Sequence, residues 1–121
     1  MRRVIICGSR KFTNYNLLKL SLDRYFDNTE GVVILSGDAN GADKLGEQYA
    51  EWRHIPIEHY PADWDRYGKR AGMMRNLEMS EDADECVAFI AKGCESKGTR
   101  NMISIMKRKG KKVTVIDENY V

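Results

Sequence analysis

Short apolar runs alternate along the chain with amphipathic segments, and glycines separate many of them. Runs rich in β-branched side chains predict strands at residues 4–7, 32–35, 86–90 and 112–116. A fifth run, residues 55–60, alternates apolar and polar side chains and contains Pro56. Proline cannot donate to a sheet ladder, so we expect this strand nearer an edge of the sheet.

The segments between these runs have the periodicity of helices. Leu18, Leu22 and Phe26 recur at helical spacing, and Thr13 or Asn14 is the expected N-cap of that helix. Three further helices are predicted around positions 42–52, over residues 69–82 and over residues 98–109. Gly110 follows the last of them, at the position where glycine commonly ends a helix.

Five strands that alternate with four helices indicate an α/β fold. We expect a single Rossmann-like domain over residues 1–121, a doubly wound parallel five-stranded sheet with helices on both faces. The first, second and fourth strands should be central because they are mostly apolar. Ligands of such sheets bind beyond the carboxyl ends of the strands, so four loops become candidates for a binding site.

Composition limits the classes of function. The chain has 121 residues, 42% of them apolar and 31% charged, with a formal net charge of +2. The charge does not require a nucleic acid partner, and no apolar run approaches a membrane span. The three cysteines form no CxxC motif and the two histidines have no metal-ligand spacing, so we expect no metal, no disulfide framework and a cytoplasmic setting. Cys7 and Cys86 are expected in the core.

Two of the candidate loops combine glycine with hydroxyl and charged groups. Gly8, Ser9 and Arg10 follow the first strand, where Arg10 offers a planar fork for phosphate or carboxylate. The second loop opens a helix and contributes these candidates: Ser36, Gly37, Asp38, Gly41 and Asp43. Free amides at a helix N-terminus favour anions or sugar hydroxyls. The competing interpretations are an ordinary strand-to-helix turn and, for Asp43, an acid that complements the helix dipole.

The other two loops extend this edge. Ser96, Gly98 and Thr99 begin the last helix and could hold a phosphate, although Ser96 could equally be an ordinary N-cap. Trp64 follows the third strand and could stack on a base or simply pack on the surface. Arg75 and Asn76 come next on the third helix, where we expect Arg75, Glu78 and Met79 to share a face. An anion is predicted between the first and last of these loops.

Five motifs, in order, carry a family resemblance: GSRKF, SGDANGAD, PADWDRYGKRAGMMRN, ADECVAF and SKGT. Together they resemble the YspA/YpsA-related branch of the SLOG superfamily over residues 3–115. This superfamily of Rossmann-like proteins includes the Lonely Guy phosphoribohydrolases and the DprA/Smf DNA-processing proteins. The resemblance implies a nucleotide or nucleotide-derived small-molecule ligand at the strand ends. We expect no further cofactor.

The resemblance to Lonely Guy enzymes is uneven along the chain. The matching positions are Arg75, Met79, Ala83, Asp84, Gly98 and Thr99, while Asn76 replaces a lysine. Met102 stands at the position of the family's motif glutamate, and methionine cannot act as a general acid or base. In the SLOG branch, Asp38 stands where a second glycine is usual, and it could repel a phosphate or hold a ribose hydroxyl.

We therefore expect a nucleotide-binding module, a sensor or a sequestering protein. The alternative is an N-glycoside hydrolase with Arg75 near the phosphate or ribose and an acid supplied by Asp38, Asp43 or Glu78. A DprA-like DNA binder is disfavoured because phosphate-dominated binding needs clustered positive charge. We also expect a homo-oligomer, because the third and fourth helices carry surplus apolar side chains. These are Met73, Met74, Met79, Met102, Ile103, Ile105 and Met106.

Overall fold

The computed structural model describes residues 1–120, which contain one five-stranded parallel sheet. The strands are β1 (Arg2–Gly8), β2 (Val32–Ser36), β3 (Ile57–His59), β4 (Glu85–Ile90) and β5 (Lys112–Asp117). Their order is β3-β2-β1-β4-β5, with every neighbouring pair parallel. The predicted Rossmann-like sheet with β1, β2 and β4 at its centre is confirmed, and β3 lies at an edge. Val121, the last residue of the predicted domain, lies outside the described residues.

Five α-helices connect the strands. They are α1 (Tyr15–Tyr25), α2 (Ala42–Arg53), α3 (Trp64–Tyr67), α4 (Ala71–Asp82) and α5 (Lys97–Arg108). Asn14 is the N-cap of α1, since its side chain accepts from the Leu17 N–H at 3.1 Å. The four-residue α3 was not predicted, and the Asp63 carboxylate caps it by accepting from the Arg66 N–H at 3.1 Å. A 3₁₀ turn over Gly68–Arg70 joins α3 to α4.

Alternate residues of the central strands point to two separate cores. Val4 and Ile6 of β1 pack on one face with Leu18 and Leu22 of α1, together with residues of α2. Ile5 and Cys7 pack on the opposite face, among residues of α4 and α5. Because both faces are covered by helices, the strands are apolar on both sides.

The apolar side chains of α4 and α5 are mostly part of the second core. Met79, Met102, Ile105 and Met106 are at most 4% exposed, because both helices pack against the same face of the sheet and against each other. This corrects the expectation that they are surplus to a single chain. Only Met73 and Met74 of the predicted set are strongly exposed, and Ile103 is half-buried against the core.

The cysteines behave as core residues. Cys7 and Cys86 are buried on the neighbouring strands β1 and β4, with their Sγ atoms 3.7 Å apart. The hydrogen bond with Cys86 and, after it, burial raise the pKa of the Cys7 thiol, so it stays protonated and unreactive at neutral pH. Within residues 1–120, the helices are too short or too polar to cross a membrane.

Candidate functional site

The loops that follow the strands enclose a cavity of about 630 Å³ at the carboxyl edge of the sheet. Parallel strands place all these loops at one edge, so residues far apart in sequence converge there. Ten of the predicted ligand-binding residues line this first cavity: Gly8, Ser9, Arg10, Gly37, Asp43, Arg75, Asn76, Ser96, Gly98 and Thr99. Its volume is that of a small-molecule site.

A second cavity of about 430 Å³ adjoins the first. Asp38 and Trp64 line it, and Trp64 is 52% exposed at the start of α3. Arg10, Gly37 and Arg75 line both cavities, so the two spaces share a boundary. The predicted site residues are therefore divided between two adjacent compartments.

Three of the predicted residues line neither cavity. Ser36 is fully buried, and its hydroxyl donates to the Glu47 carboxylate at 2.6 Å. Gly41 has φ of +77°, and a Cβ there would lie 2.3 Å from the Ser9 carbonyl oxygen, so glycine is needed for close packing of two loops. Glu78 is exposed while Met79 is buried. By their spacing of three and four residues Arg75, Glu78 and Met79 share a face of α4, but Glu78 lies on the exposed side of that face and lines neither cavity.

Ser9 connects β1 with its neighbouring segments. Its N–H donates to the Phe89 carbonyl oxygen at 2.9 Å, and its carbonyl oxygen accepts from the Ala42 N–H at 3.2 Å. The hydroxyl accepts from the Ala91 N–H at 2.9 Å and also contacts the Ser96 hydroxyl. Two hydroxyl groups therefore meet on the wall of the first cavity, where β1, β4 and α5 converge.

The N-terminus of α5 faces the same cavity. Ser96 precedes the helix with φ of +54°, and its side chain makes no capping hydrogen bond. The interpretation of Ser96 as an ordinary capping side chain is therefore wrong, since its hydroxyl contacts Ser9 instead. Lys97, Gly98 and Thr99, in the first turn, line the cavity. First-turn N–H groups carry a partial positive charge that favours a bound anion.

A chain of hydrogen bonds joins α4 to the loops on either side. Arg75 donates through Nη1 to the Gly37 carbonyl oxygen at 2.5 Å and through Nε to the Asn76 amide oxygen at 3.1 Å. The Asn76 Nδ2 donates to the Gly98 carbonyl oxygen at 3.2 Å and to the Asn101 Oδ1 at 3.0 Å. Arg75 and Asn76 are thus held in place by their partners. Asn101 was missed by sequence reasoning, although its spacing of three from Gly98 places both on one side of α5.

Asp43 is an acid buried beside these groups. It lies in the first turn of α2, is 5% exposed, and accepts from the Ala39 N–H at 3.2 Å. Burial raises the pKa of Asp43 to about 6, while the hydrogen bond from Ala39 and the charge of Arg75 oppose this effect. Asp43 is a first-turn acid of α2, as the interpretation from the helix dipole requires, and it also lines the cavity, where its predicted contact with a ligand stays a prediction.

Positive charge is concentrated at the first cavity. Five cationic side chains line it: Arg10, Lys11, Lys69, Arg75 and Lys97. Among residues 1–120, none of the five has a carboxylate within 4.0 Å. Within the described part of the chain, two carboxylates line the same space, those of Asp43 and Glu95. The three lysines were not predicted as site residues, although each adjoins or lies within a motif that was.

His59 lies beside two carboxylates, an arrangement that its sequence spacing did not indicate. Its Nδ1 is 2.6 Å from Oδ1 of Asp38 and 4.0 Å from Oε2 of Glu47. These side chains come from the end of β3, the loop after β2, and α2 respectively. The fold therefore brings together three groups that are 21 residues apart at most.

Comparisons with known proteins agree with this architecture. The profile of the YspA, cpYpsA-related SLOG family matches residues 2–67, which is more than half of the chain. Gene 61 protein of Mycobacterium phage D29 is 38% identical over 96 residues, a match that covers 74% of this chain and 77% of that protein.

A solved structure shares the fold. DNA processing protein A (DprA) from Streptococcus pneumoniae superposes with a TM-score of 0.70 at 14% sequence identity. The match covers 94% of this chain and 49% of that one, so the chain spans about half the length of DprA. The profile match and the phage relative show that the chain belongs to the YspA, cpYpsA-related SLOG family.

Proposed function

We propose that the chain binds a nucleotide or a nucleotide-derived anion in the first cavity, as a sensor or a sequestering module. The observation that carries this proposal is the set of five cationic side chains around the cavity without carboxylate partners. Five other cations pair with acids, as Arg2 does with Glu85 and Arg3 with Glu58, whereas the five at the cavity converge on one concave space that Asp43 and Glu95 share. Unpaired cations in a concave site attract an anionic ligand.

The two cavities suit different parts of such a ligand. A phosphate fits near Ser9, Ser96 and the N-terminus of α5, where hydroxyl and amide donors accompany the cations. The second cavity offers Trp64, whose ring can stack on a base, and Asp38, whose carboxylate can accept from a ribose hydroxyl. Arg10 and Arg75, which line both cavities, lie between these two parts.

A hydrolase is the second candidate function, and Asp43 is the observation that favours it. An acid with a pKa of about 6 beside a ligand cavity has the properties of a general acid for N-glycosidic bond cleavage. Met102 lines the same cavity and is buried, but it cannot transfer a proton. We favour binding without cleavage because Met102 stands at the position of the motif glutamate of Lonely Guy enzymes.

DNA binding is the third and least favoured function. The formal net charge is only +2, and the unpaired cations surround a cavity of small-molecule size. The likeness to DNA processing protein A rests on 14% identity and shows a common fold alone.

The test is calorimetric titration of the protein with nucleoside monophosphates, nucleoside diphosphates and ADP-ribose, each compared with its unphosphorylated nucleoside. We expect at least one phosphorylated compound to bind about tenfold or more tightly than its nucleoside, because each charge-assisted hydrogen bond to phosphate contributes about 1.5–3 kcal/mol. Mass spectrometry of nucleotides that copurify with the native protein would identify the base. Equal affinity for nucleoside and nucleotide would contradict the proposal.

A further inference from the structure

A cluster of metal-ligating groups lies outside the first cavity, at the end of the sheet near β3. Asp38, Glu47 and His59 each offer one donor atom, and these three atoms all lie within 4.8 Å of one another. We propose that they bind one divalent cation of the borderline class, such as Zn²⁺ or Co²⁺. The metal site shares Asp38 with the second cavity, but it does not require that a nucleotide binds there.

The donor set determines the class of cation. Two carboxylate oxygens and one imidazole nitrogen are ligands of first-row transition metals, whereas Mg²⁺ and Ca²⁺ prefer oxygen alone. In a tetrahedral or octahedral site with bonds of about 2.0–2.2 Å, neighbouring donor atoms are about 3 Å apart. The Nδ1–Oδ1 distance of 2.6 Å and the Nδ1–Oε2 distance of 4.0 Å bracket that spacing. Small side-chain rotations therefore suffice to place all three on one ion.

Glu47 is already oriented for this role. Its side chain is 13% exposed, and Oε2 accepts a 2.6 Å hydrogen bond from the fully buried Ser36 hydroxyl. The same hydroxyl accepts from the Asp38 N–H at 3.2 Å, so one buried group positions two of the three ligands. Hydrogen bonds to metal-binding side chains hold their donor atoms in a fixed direction and so raise the affinity for the metal.

The local charge also favours a cation. With His59 neutral, the three ligands carry two negative charges, and one lysine, Lys44, lies 3.5 Å from the Glu47 Oε1. Lys44 is half-exposed and can move into solvent when a metal binds. Asp38 lines the second cavity, so a cation held there lies beside that compartment and can present open coordination positions to it.

The experiment is a titration of the full chain with Co²⁺, followed by visible absorption and by proton NMR of the imidazole rings. The chain has only two histidines, so His54 is an internal reference. We expect one Co²⁺ per chain, with large contact shifts of the His59 ring resonances and only small through-space shifts of the His54 ring. Large contact shifts of the His54 ring, or their absence from the His59 ring, would overturn the proposal. Thiolate-to-cobalt charge-transfer bands would also overturn it, because they would place the metal on a cysteine.

Variants give a second readout. His59→Ala and Asp38→Asn should each weaken Co²⁺ and Zn²⁺ binding by about 100-fold, more than the loss of an outer-shell contact. His54→Asn is the matched control, because position 54 has φ of +57° and asparagine tolerates that conformation. Circular dichroism would verify that each variant is folded. Unchanged metal affinity in folded His59→Ala would refute the site, and the NMR titration of the unaltered chain decides the question if a variant fails to fold.

Discussion

Nη1 of Arg75 donates a 2.5 Å hydrogen bond to the carbonyl oxygen of Gly37, which ties α4 to the loop after β2. A Cβ at Gly37 would lie 2.6 Å from this same Nη1 and 3.0 Å from Oδ2 of Asp43. Because Gly37 has no side chain, the Arg75 guanidinium can occupy this position at the boundary of the two cavities.

Gly37→Ala should displace the Arg75 guanidinium. Because the end of an arginine side chain moves easily, the fold should survive while affinity for the phosphorylated ligand falls about tenfold. The measurement is calorimetric titration together with thermal unfolding. Gly72→Ala is the matched control, since its Cβ would meet only Trp64 and Arg75, at 3.8 and 4.0 Å. Equal affinity in the two variants would contradict this role of Gly37.

Arg10→Ala should weaken binding of a phosphorylated ligand by about 1.5–3 kcal/mol, the loss expected for a charge-assisted hydrogen bond. Arg10 is exposed and lines both cavities, so we expect no loss of folding stability. Arg24→Ala, on an exposed position of α1, controls for the change in net charge. Calorimetry that shows unchanged affinity in Arg10→Ala would remove Arg10 from the site.

Asp43→Asn should stabilise the protein at neutral pH. Burial raises the pKa of Asp43 from 3.8 to about 6, so the folded protein holds this proton more tightly than the unfolded chain. The ionised acid therefore lowers the free energy of unfolding, an effect that develops as pH rises from about 4 to about 6. The variant should gain about 2–3 kcal/mol at pH 7.5 and nothing below about pH 4.

Urea unfolding of the unaltered chain and of Asp43→Asn at both pH values measures this difference. Other acids titrate in both proteins and cancel in the comparison. Asp65→Asn, at an exposed position of α3, is the control and should show no such pH-dependent gain. A gain for Asp43→Asn that is the same at pH 4 and pH 7.5 would rule out the proton as its cause.

The purified protein should bind a nucleotide without releasing its base. General acid–base catalysis contributes about 10²–10⁴-fold to a reaction rate. Because methionine replaces the glutamate at position 102, we expect a chromatographic assay to detect little or no free base. The assay would use nucleoside monophosphates together with nicotinamide and ADP-ribose derivatives. Rapid release that is abolished by substitution of Asp38 or Asp43, the two candidate acids that line a cavity, would favour the hydrolase instead.

The exposed apolar face of α4 should form a contact between copies of the chain. Met73, Met74 and Leu77 are 57%, 37% and 43% exposed at adjacent positions of one helix, and contiguous exposed apolar side chains mark interaction sites. We expect light scattering at micromolar concentration to give a homo-oligomer, and Leu77→Glu to dissociate it. Leu20→Glu, at a 56% exposed position of α1, is the control. A monomeric unaltered chain would contradict this prediction.

The strands could be predicted because apolar runs reflect burial on both faces of the sheet. β3 is shorter than the predicted run: the Ile55 N–H donates to the Ala50 carbonyl oxygen at 2.8 Å and so completes the end of α2. Pro56 has no N–H to contribute.

The site loops were also predictable, since glycine and hydroxyl motifs at strand ends are local signals. The hydrogen bond of Asn101 and the exposure of Glu78 could not be predicted, because both depend on how each helix is rotated against the sheet. The proximity of His59 to Asp38 depends on the pairing of β2 with β3. The rotation of a helix and the pairing of two strands cannot be read from the spacing of these residues along the chain.

The hydrogen bonds of Ser9 have a kinetic consequence. Its N–H, carbonyl oxygen and hydroxyl are all held by hydrogen bonds to other segments, so we expect the backbone of the loop after β1 to keep its shape when a ligand binds. Ligand capture then requires little ordering of the backbone. We expect the association rate to follow electrostatic encounter with the surrounding cations, to fall as ionic strength rises, and to show no slow rearrangement phase.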